Sequence, residues 1–257
     1  MSAARNLKGL GRAALEAMRQ GGEAMAAAER ALAAEGATVV TAALGAAGAC
    51  VPWQHYPAGD VYDRRSHAQF FYHAHPEGER TPNEHGHFHL FLRAGGMAPG
   101  TRPLVLPELV IAGAAPVGTA PSAPEPHAGE DGEWCHIVAI AMNSTGEPIR
   151  LFTTNRWVTG ETWYRAVDVI EMLDRFSVSE TGPLGLLNRW IGGAARFFRP
   201  QIAHLIAERD EAVMGWRRRR RGKAHVFEDR RLEVTSALDI SVAAQFAAID
   251  AALGAAA

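Results

Sequence analysis

Six of the eleven histidines fall between Ser66 and Arg93, in two runs that alternate with apolar residues. Side chains along an extended strand point to opposite faces in turn. The first run therefore places His67, Gln69, Phe71, His73 and His75 on one face, and the second places His85, His87, His89 and Phe91 on one face. Pro76, Gly78, Pro82 and Asn83 between the runs are turn formers, so the stretch reads as an antiparallel hairpin. With a symmetric loop, His75 faces His85, His73 faces His87 and Phe71 faces His89, with opposed Cβ atoms about 4.5–5.5 Å apart.

Neutral imidazole is the commonest protein metal ligand. Two histidines at i and i+2 on one strand, plus a third from its neighbour, can fill three tetrahedral corners and leave the fourth open. The candidate ligands are His73, His75, His85 and His87, for a divalent transition metal such as Zn²⁺ or Fe²⁺. His85 and His89 lie about 13 Å apart along an extended strand and cannot share one ion. His89 is accordingly assigned to a place behind the ligands or facing a substrate. Glu84 or Glu79 can serve as a carboxylate ligand or general base, with Glu84 the expected proton carrier. The competing reading is a row of solvated imidazoles with no ion.

The order His73-Ala-His75, Glu79, Gly86 resembles the first metal-binding motif of the cupins, although His67 stands where that motif has glycine and no second motif follows. His85-Gly-His87-Phe-His89-Leu-Phe91 is similar to the histidine-triad nucleotide-binding motif, in which the central histidine attacks a phosphate; Gly86 here replaces a hydrophobic residue. HYPAGDVYD, SHAQFFYHAH, EHGHFHLFLR and LFTTNRWVTGETWY together resemble a family of uncharacterised bacterial proteins, a domain of unknown function. That resemblance implies no activity and transfers no catalytic residue.

The elements that must position the hairpin follow from the rest of the chain. Its 257 residues, 47% hydrophobic, are enough to bury a real core. A formal net charge of −2 gives no global field for nucleic acid or an anionic membrane. Two cysteines, Cys50 and Cys135, build no disulfide framework and suit a reducing cytoplasm; Cys135 reads as a buried thiol rather than a soft ligand. No apolar run is long enough for a transmembrane helix.

Residues 3–35 read as one or two amphipathic helices broken at Gly21-Gly22, and 37–50 as strand or helix. In the turn-rich 53–63 segment, Asp60 and Asp63 either orient imidazoles or serve the turn itself, and His55 reads as a structural group. Residues 95–132 hold seven of the fourteen prolines and form a Pro/Gly-rich insert, read as a lid over the histidines or a mobile segment. CHIVAIAM and IRLFTTN are strands joined by a hairpin turn. Asn155, Arg156, Thr159 and Glu161 mark a strand end running into a helix; either Arg156 holds an anionic group at the helix start, or Thr159 is a plain helix cap and Arg156 is solvated.

Beyond them the apolar stripes from Ala166 to Phe176 and from Leu184 to Phe198, the segment 200–221, and the stretch after Ser241 read as helices, with a strand expected in 225–238. The five arginines Arg217 to Arg221 read as a solvated helix end rather than a nucleic-acid contact. The expected fold is α+β: a small, mainly antiparallel sheet of at least four strands carrying the histidine hairpin, with helices from both termini on its other side. Residues 1–36 form an N-terminal helical segment and 37–257 one domain. The expected function is a mononuclear metal-dependent enzyme, hydrolase or oxidoreductase, acting on a small anionic substrate. The alternatives are a metal or haem carrier or sensor, and a nucleic-acid-binding protein acting through the arginine run.

Overall fold

Alternating polar and apolar residues become strands because one face of each can be buried while the other stays accessible. In the computed structural model, which describes residues 7, 9–106, 133–220 and 225–255, β2 (Ala68–His73) and β3 (Gly86–Arg93) form the expected hairpin. His73 pairs with His87 and Phe71 with His89, the register a symmetric loop requires. β1 (Tyr56–Tyr62) extends the sheet on one side, and β4 (Trp134–Met142), β5 (Pro148–Thr154) and β6 (Val234–Asp239) extend it on the other. The strand order is β1-β2-β3-β4-β5-β6, every neighbour antiparallel. The fold is α+β. The cupin-like spacing sits here in a six-stranded meander with one heavily helical face, not in a jelly roll.

Among the described residues seven α-helices accompany the sheet: α1 (Arg12–Ala34), α2 (Val39–Leu44), α3 (Arg156–Thr159), α4 (Ala166–Arg175), α5 (Gly185–Phe197), α6 (Arg199–Arg220) and α7 (Val242–Ala255). Phe70, Tyr72, Phe88, Leu90 and Ile140 of the sheet share one buried core with Trp190 and Ile191 of α5 and with Val169 and Met172 of α4. Each such side chain taken out of water contributes on the order of 1.5–3 kcal/mol, which fixes the face that must turn inward. The histidines are thereby committed to the opposite face. α1 contributes Leu15, Met18, Met25 and Leu32 to the same core, so the N-terminal helix packs as a layer of the fold.

The expected break at Gly21-Gly22 does not occur, and α1 runs through both glycines. They serve close packing instead: a Cβ at Gly21 would stand 2.8 Å from the Gly193 carbonyl oxygen of α5, and one at Gly193 would stand 2.7 Å from that of Gly21. The ambiguous 37–50 segment begins as helix α2, whose Thr38 cap accepts from the Thr41 backbone N–H. The turn-rich 53–63 segment is mostly the edge strand β1, irregular in its pairing with β2. Asn155, not Thr159, caps the single-turn α3. No described helix is long and apolar enough to cross a membrane. Most of the Pro/Gly-rich insert, residues 107–132, lies outside the described residues, as do His127 and the lid expected there.

Candidate metal centre

Two rows of side chains cross the sheet face opposite the helix-side core. One runs His73, His87, Ala141, Arg150 and the other Phe71, His89, Ala139, Phe152. β4 thus presents methyl groups where its neighbours present rings, and Ala139 and Ala141 pack with Phe152 in a small buried cluster beside the histidines. β4 also carries a bulge. Leu90 pairs with Val138 but Phe91 pairs with His136, so Ile137 is the extra residue, and His136 joins Ala139 on the histidine face.

On this face, His73 Nε2 and His87 Nε2 lie 2.7 Å apart. One ring nitrogen from each of His73, His87 and His89 lies within 4.8 Å of the other two. Glu84 Oε1 takes the far nitrogen of His87, Nδ1, at 2.6 Å, and the Thr81 hydroxyl donates to the other carboxylate oxygen. A carboxylate there fixes the proton on Nδ1 and leaves the Nε2 lone pair for a ligand. His89 Nδ1 lies 3.0 Å from His136 Nε2, and His136 Nδ1 lies 3.4 Å from Thr154 Oγ1, so Nε2 is the His89 nitrogen left to the group.

Three imidazoles, two of them braced from behind, suit Zn²⁺ or Fe²⁺ better than Mg²⁺ or Ca²⁺, which prefer oxygen. Nitrogens on a tetrahedral ion sit about 3.3 Å apart at Zn–N bonds of about 2.0–2.1 Å. Binding an ion would therefore have to spread His73 Nε2 and His87 Nε2 from their 2.7 Å separation.

Burial makes His73 and His89 neutral. It holds His73 and His89 well below the ordinary imidazole range, and neighbouring imidazoles push the same way. His75 falls to about 4 for the same two reasons, and His136 to about 3 through burial and the Arg209 guanidinium. Burial alone would raise Glu84, but the hydrogen bonds from His87 and Thr81 prevail and keep its carboxylate ionised below the usual range. Uncharged imidazoles beside a carboxylate are the protonation state that a cation needs.

A cavity of about 490 Å³ opens over the group, walled by Trp53, Trp134, Trp157 and Phe71 and floored by His73 and His89. A smaller chamber of about 70 Å³ adjoins it across His75 and His89 and adds His87, Arg80 and Arg150. His55 also faces the larger cavity. Its ring stacks on Phe71 with centroids 3.5 Å apart, and its Nδ1 lies 3.1 Å from Asp60 Oδ1. Gln69 Nε2 donates to Asp60 Oδ2 at 2.6 Å, and Arg93 Nε donates to Gln69 Oε1 at 2.6 Å. An arginine thus orients an imidazole through an amide and a carboxylate.

Of the four ligands expected from the sequence, His73 and His87 stand in the group. His75 stands beside it, its ring centroid 5.2 Å from each of theirs and 4.3 Å from that of Trp53. His85 turns away: the chain leaves β3 at Gly86, and His85 Nδ1 meets the Tyr72 hydroxyl at 2.6 Å. Tyr72 belongs to the helix-side core. His89, expected behind the ligands, is the third member.

Arg156 is not brought to the histidines. Its guanidinium pairs with Glu228 and donates from Nε to the Glu161 carbonyl oxygen at 3.0 Å. Glu79 lines both chambers, exposed at their rim. Asp60 orients His55, whereas Asp63 caps a turn, accepting the backbone N–H groups of Arg65 and Ser66. Cys135 is buried in the helix-side core. Arg217 to Arg220 end α6, with Arg219 and Arg220 over the Trp216 ring, and Arg221 lies outside the described residues.

His136 and Arg150 are additions to the residues expected from the sequence, and His55, expected to be structural, faces the larger cavity. His136 was concealed by the bulge, which reverses the facing that simple alternation assigns. No curated protein and no solved structure is detectably similar to the chain. Residues 19–240 match the family described as Domain of unknown function (DUF6969), and the chain belongs to that family.

Proposed function

We propose that the protein is a mononuclear metal-dependent enzyme whose ion is held by His73, His87 and His89. The observation that supports this reading most is the convergence of three ring nitrogens within 4.8 Å where two adjoining cavities meet, one of the rings gripped from behind by Glu84. A cation with three protein ligands keeps a position for a reactant, and supplies Lewis acidity or, if it is iron, electron transfer as well. Hydrolysis and oxidation both fit that arrangement.

The chain's own groups divide the remaining work. Glu84 fixes the His87 tautomer and is occupied in doing so, which leaves His55 as the better placed proton carrier: Asp60 holds its Nδ1–H, and Nε2 remains for a reactant in the cavity. His75 stands where a fourth ligand or a hydrogen bond to a reactant is needed. The aromatic walls exclude bulk water and so strengthen every polar contact within.

Metal analysis of protein purified without a polyhistidine tag tests the proposal. Close to one equivalent of zinc or iron is expected, lost in His87→Ala and in His89→Ala. Less than about a tenth of an equivalent, unchanged by either substitution, overturns it.

A further inference from the structure

We infer that the reactant of this site is an aromatic carboxylate, its ring among the tryptophans and its acid group held by Arg150. The inference rests on the proposed site and names the class of molecule it takes. Arg150 lies in the sheet row of His73 and His87, on the cavity face of β5. Its guanidinium packs over the Phe152 ring, 5.8 Å from the centroid, and lines the small chamber together with His87. Half-buried, it makes no hydrogen bond or ion pair among the described residues. Arg156 is committed to Glu228, and Arg80, which also lines the small chamber, has its Nε turned to the His75 carbonyl oxygen at 2.6 Å. A guanidinium presented by a strand beside a ring, with its donors unspent, is built for a planar bidentate anion.

Size and polarity divide the two chambers between two parts of one molecule. The small one, about 70 Å³, accommodates a group such as a carboxylate. The large one, about 490 Å³, has Trp53, Trp134, Trp157 and Phe71 in its wall and no lysine or arginine among the described residues that line it. Flat side chains offer stacking to a flat ring and little to a hydrated chain. His75 and His89 belong to both chambers, so a molecule spanning them passes over the histidine group. Glu79 and Glu233 border both chambers and oppose an anion, but both are exposed to water and screened. Glu84, an ionised carboxylate in the small chamber, opposes one too, but its two oxygens are already engaged by His87 Nδ1 and the Thr81 hydroxyl, whereas the donors of Arg150 are unspent.

Calorimetric titration with indole-3-acetate, its neutral isostere indole-3-acetamide and acetate tests this. A charge-assisted bond of ordinary strength makes indole-3-acetate roughly ten- to a hundredfold tighter than the amide, and acetate alone weaker than either. Arg150→Met is expected to bring the acid down to the affinity of the amide, and Arg150→Lys to restore part of the difference. Equal affinity for acid and amide, an acid preference that survives Arg150→Met, or no binding of any probe at about 10 mM overturns the inference. The titrations are run on chelator-treated and on zinc-supplied protein. A preference that needs zinc and ignores Arg150 sinks this inference and leaves the metal proposal standing; one that needs Arg150 in protein unable to bind metal does the reverse.

Discussion

His73 Nε2 and His87 Nε2 lie 2.7 Å apart between two directly paired residues of adjacent strands. Two imidazole nitrogens this close must share a proton. Glu84 holds the His87 proton on Nδ1, so the shared one belongs to His73 Nε2. A cation needs both Nε2 lone pairs, and His73 must then carry its proton on Nδ1. Zinc titration followed by nitrogen-15 chemical shifts of the histidine side chains is expected to show His73 changing tautomer while His87 keeps its own. Unchanged tautomers at saturating zinc would place the ion elsewhere.

Glu84 is expected to matter for affinity more than for folding. Its carboxylate bonds His87 Nδ1 at 2.6 Å and accepts from Thr81. Removing such a carboxylate from behind a ligand typically weakens metal binding about 10–100-fold. Glu84→Gln keeps the shape, removes the charge and should show that loss in a competition titration against a chromophoric chelator. An affinity within about twofold of wild type would show that Glu84 does not orient the ligand.

The hairpin was legible because period-two alternation and symmetric turn residues fix both face and register, and the pairing of His73 with His87 follows from those two facts alone. His85 was not, because alternation ends where the strand does and the ring is then free to follow Tyr72 to the other side. His136 was hidden by a single extra residue, Ile137, that no sequence pattern announces. Arg156 looked like the anion-binding group because a strand end ran into a helix start. Its partner Glu228 is 72 residues away, a pairing that only the folded chain reveals. Gly21-Gly22 carried the opposite error, since a glycine pair reads as a break unless the neighbouring helix is known to need the space.

Gly86 should tolerate no side chain. A Cβ there would stand 2.5 Å from the His73 carbonyl oxygen and 2.6 Å from the Tyr72 hydroxyl oxygen. The bare glycine is what lets the Tyr72 ring pass beneath β3 to reach His85. Gly86→Ala is expected to cost on the order of 1–3 kcal/mol in urea unfolding, through overpacking and a displaced Tyr72. Because His73 and His87 flank the clash, metal affinity should fall with it; unchanged stability would mean the strands have room to separate.

Gln69 joins two buried charged groups, accepting from Arg93 Nε and donating to Asp60 Oδ2. Gln69→Leu fills the volume but leaves both atoms without those bonds in a place water reaches poorly. Losing bonds to charged groups costs about 1.5–3 kcal/mol each when they are buried, so a loss of a few kcal/mol in urea unfolding is expected. Once Asp60 is loosened, the ring of His55 should also lose its fixed place against Phe71, visible as averaged side-chain NMR signals. A variant as stable as wild type would show the relay to be incidental.

Glu161 gives the fold an unusual response to pH. Burial raises its carboxyl from an ordinary 4.5 to about 7, against the opposing pull of Arg209 and of the His136 backbone N–H that it accepts at 2.8 Å. The folded protein therefore binds this proton more tightly than the unfolded chain. Its contribution is fully present below pH 4.5 and is lost as pH rises through 7. Between pH 5 and 8 the loss is on the order of 2–3 kcal/mol. The depressed imidazoles of His75 and His136 act in the opposite sense, stabilising as pH rises toward 6.5, so wild-type stability alone does not isolate the effect. Glu161→Gln does: an amide still accepts from His136 and does not titrate. The stability of the variant relative to wild type should rise by that amount from pH 5 to pH 8. A difference that stays constant across this range would place the Glu161 carboxyl back in its ordinary range and imply that water reaches it.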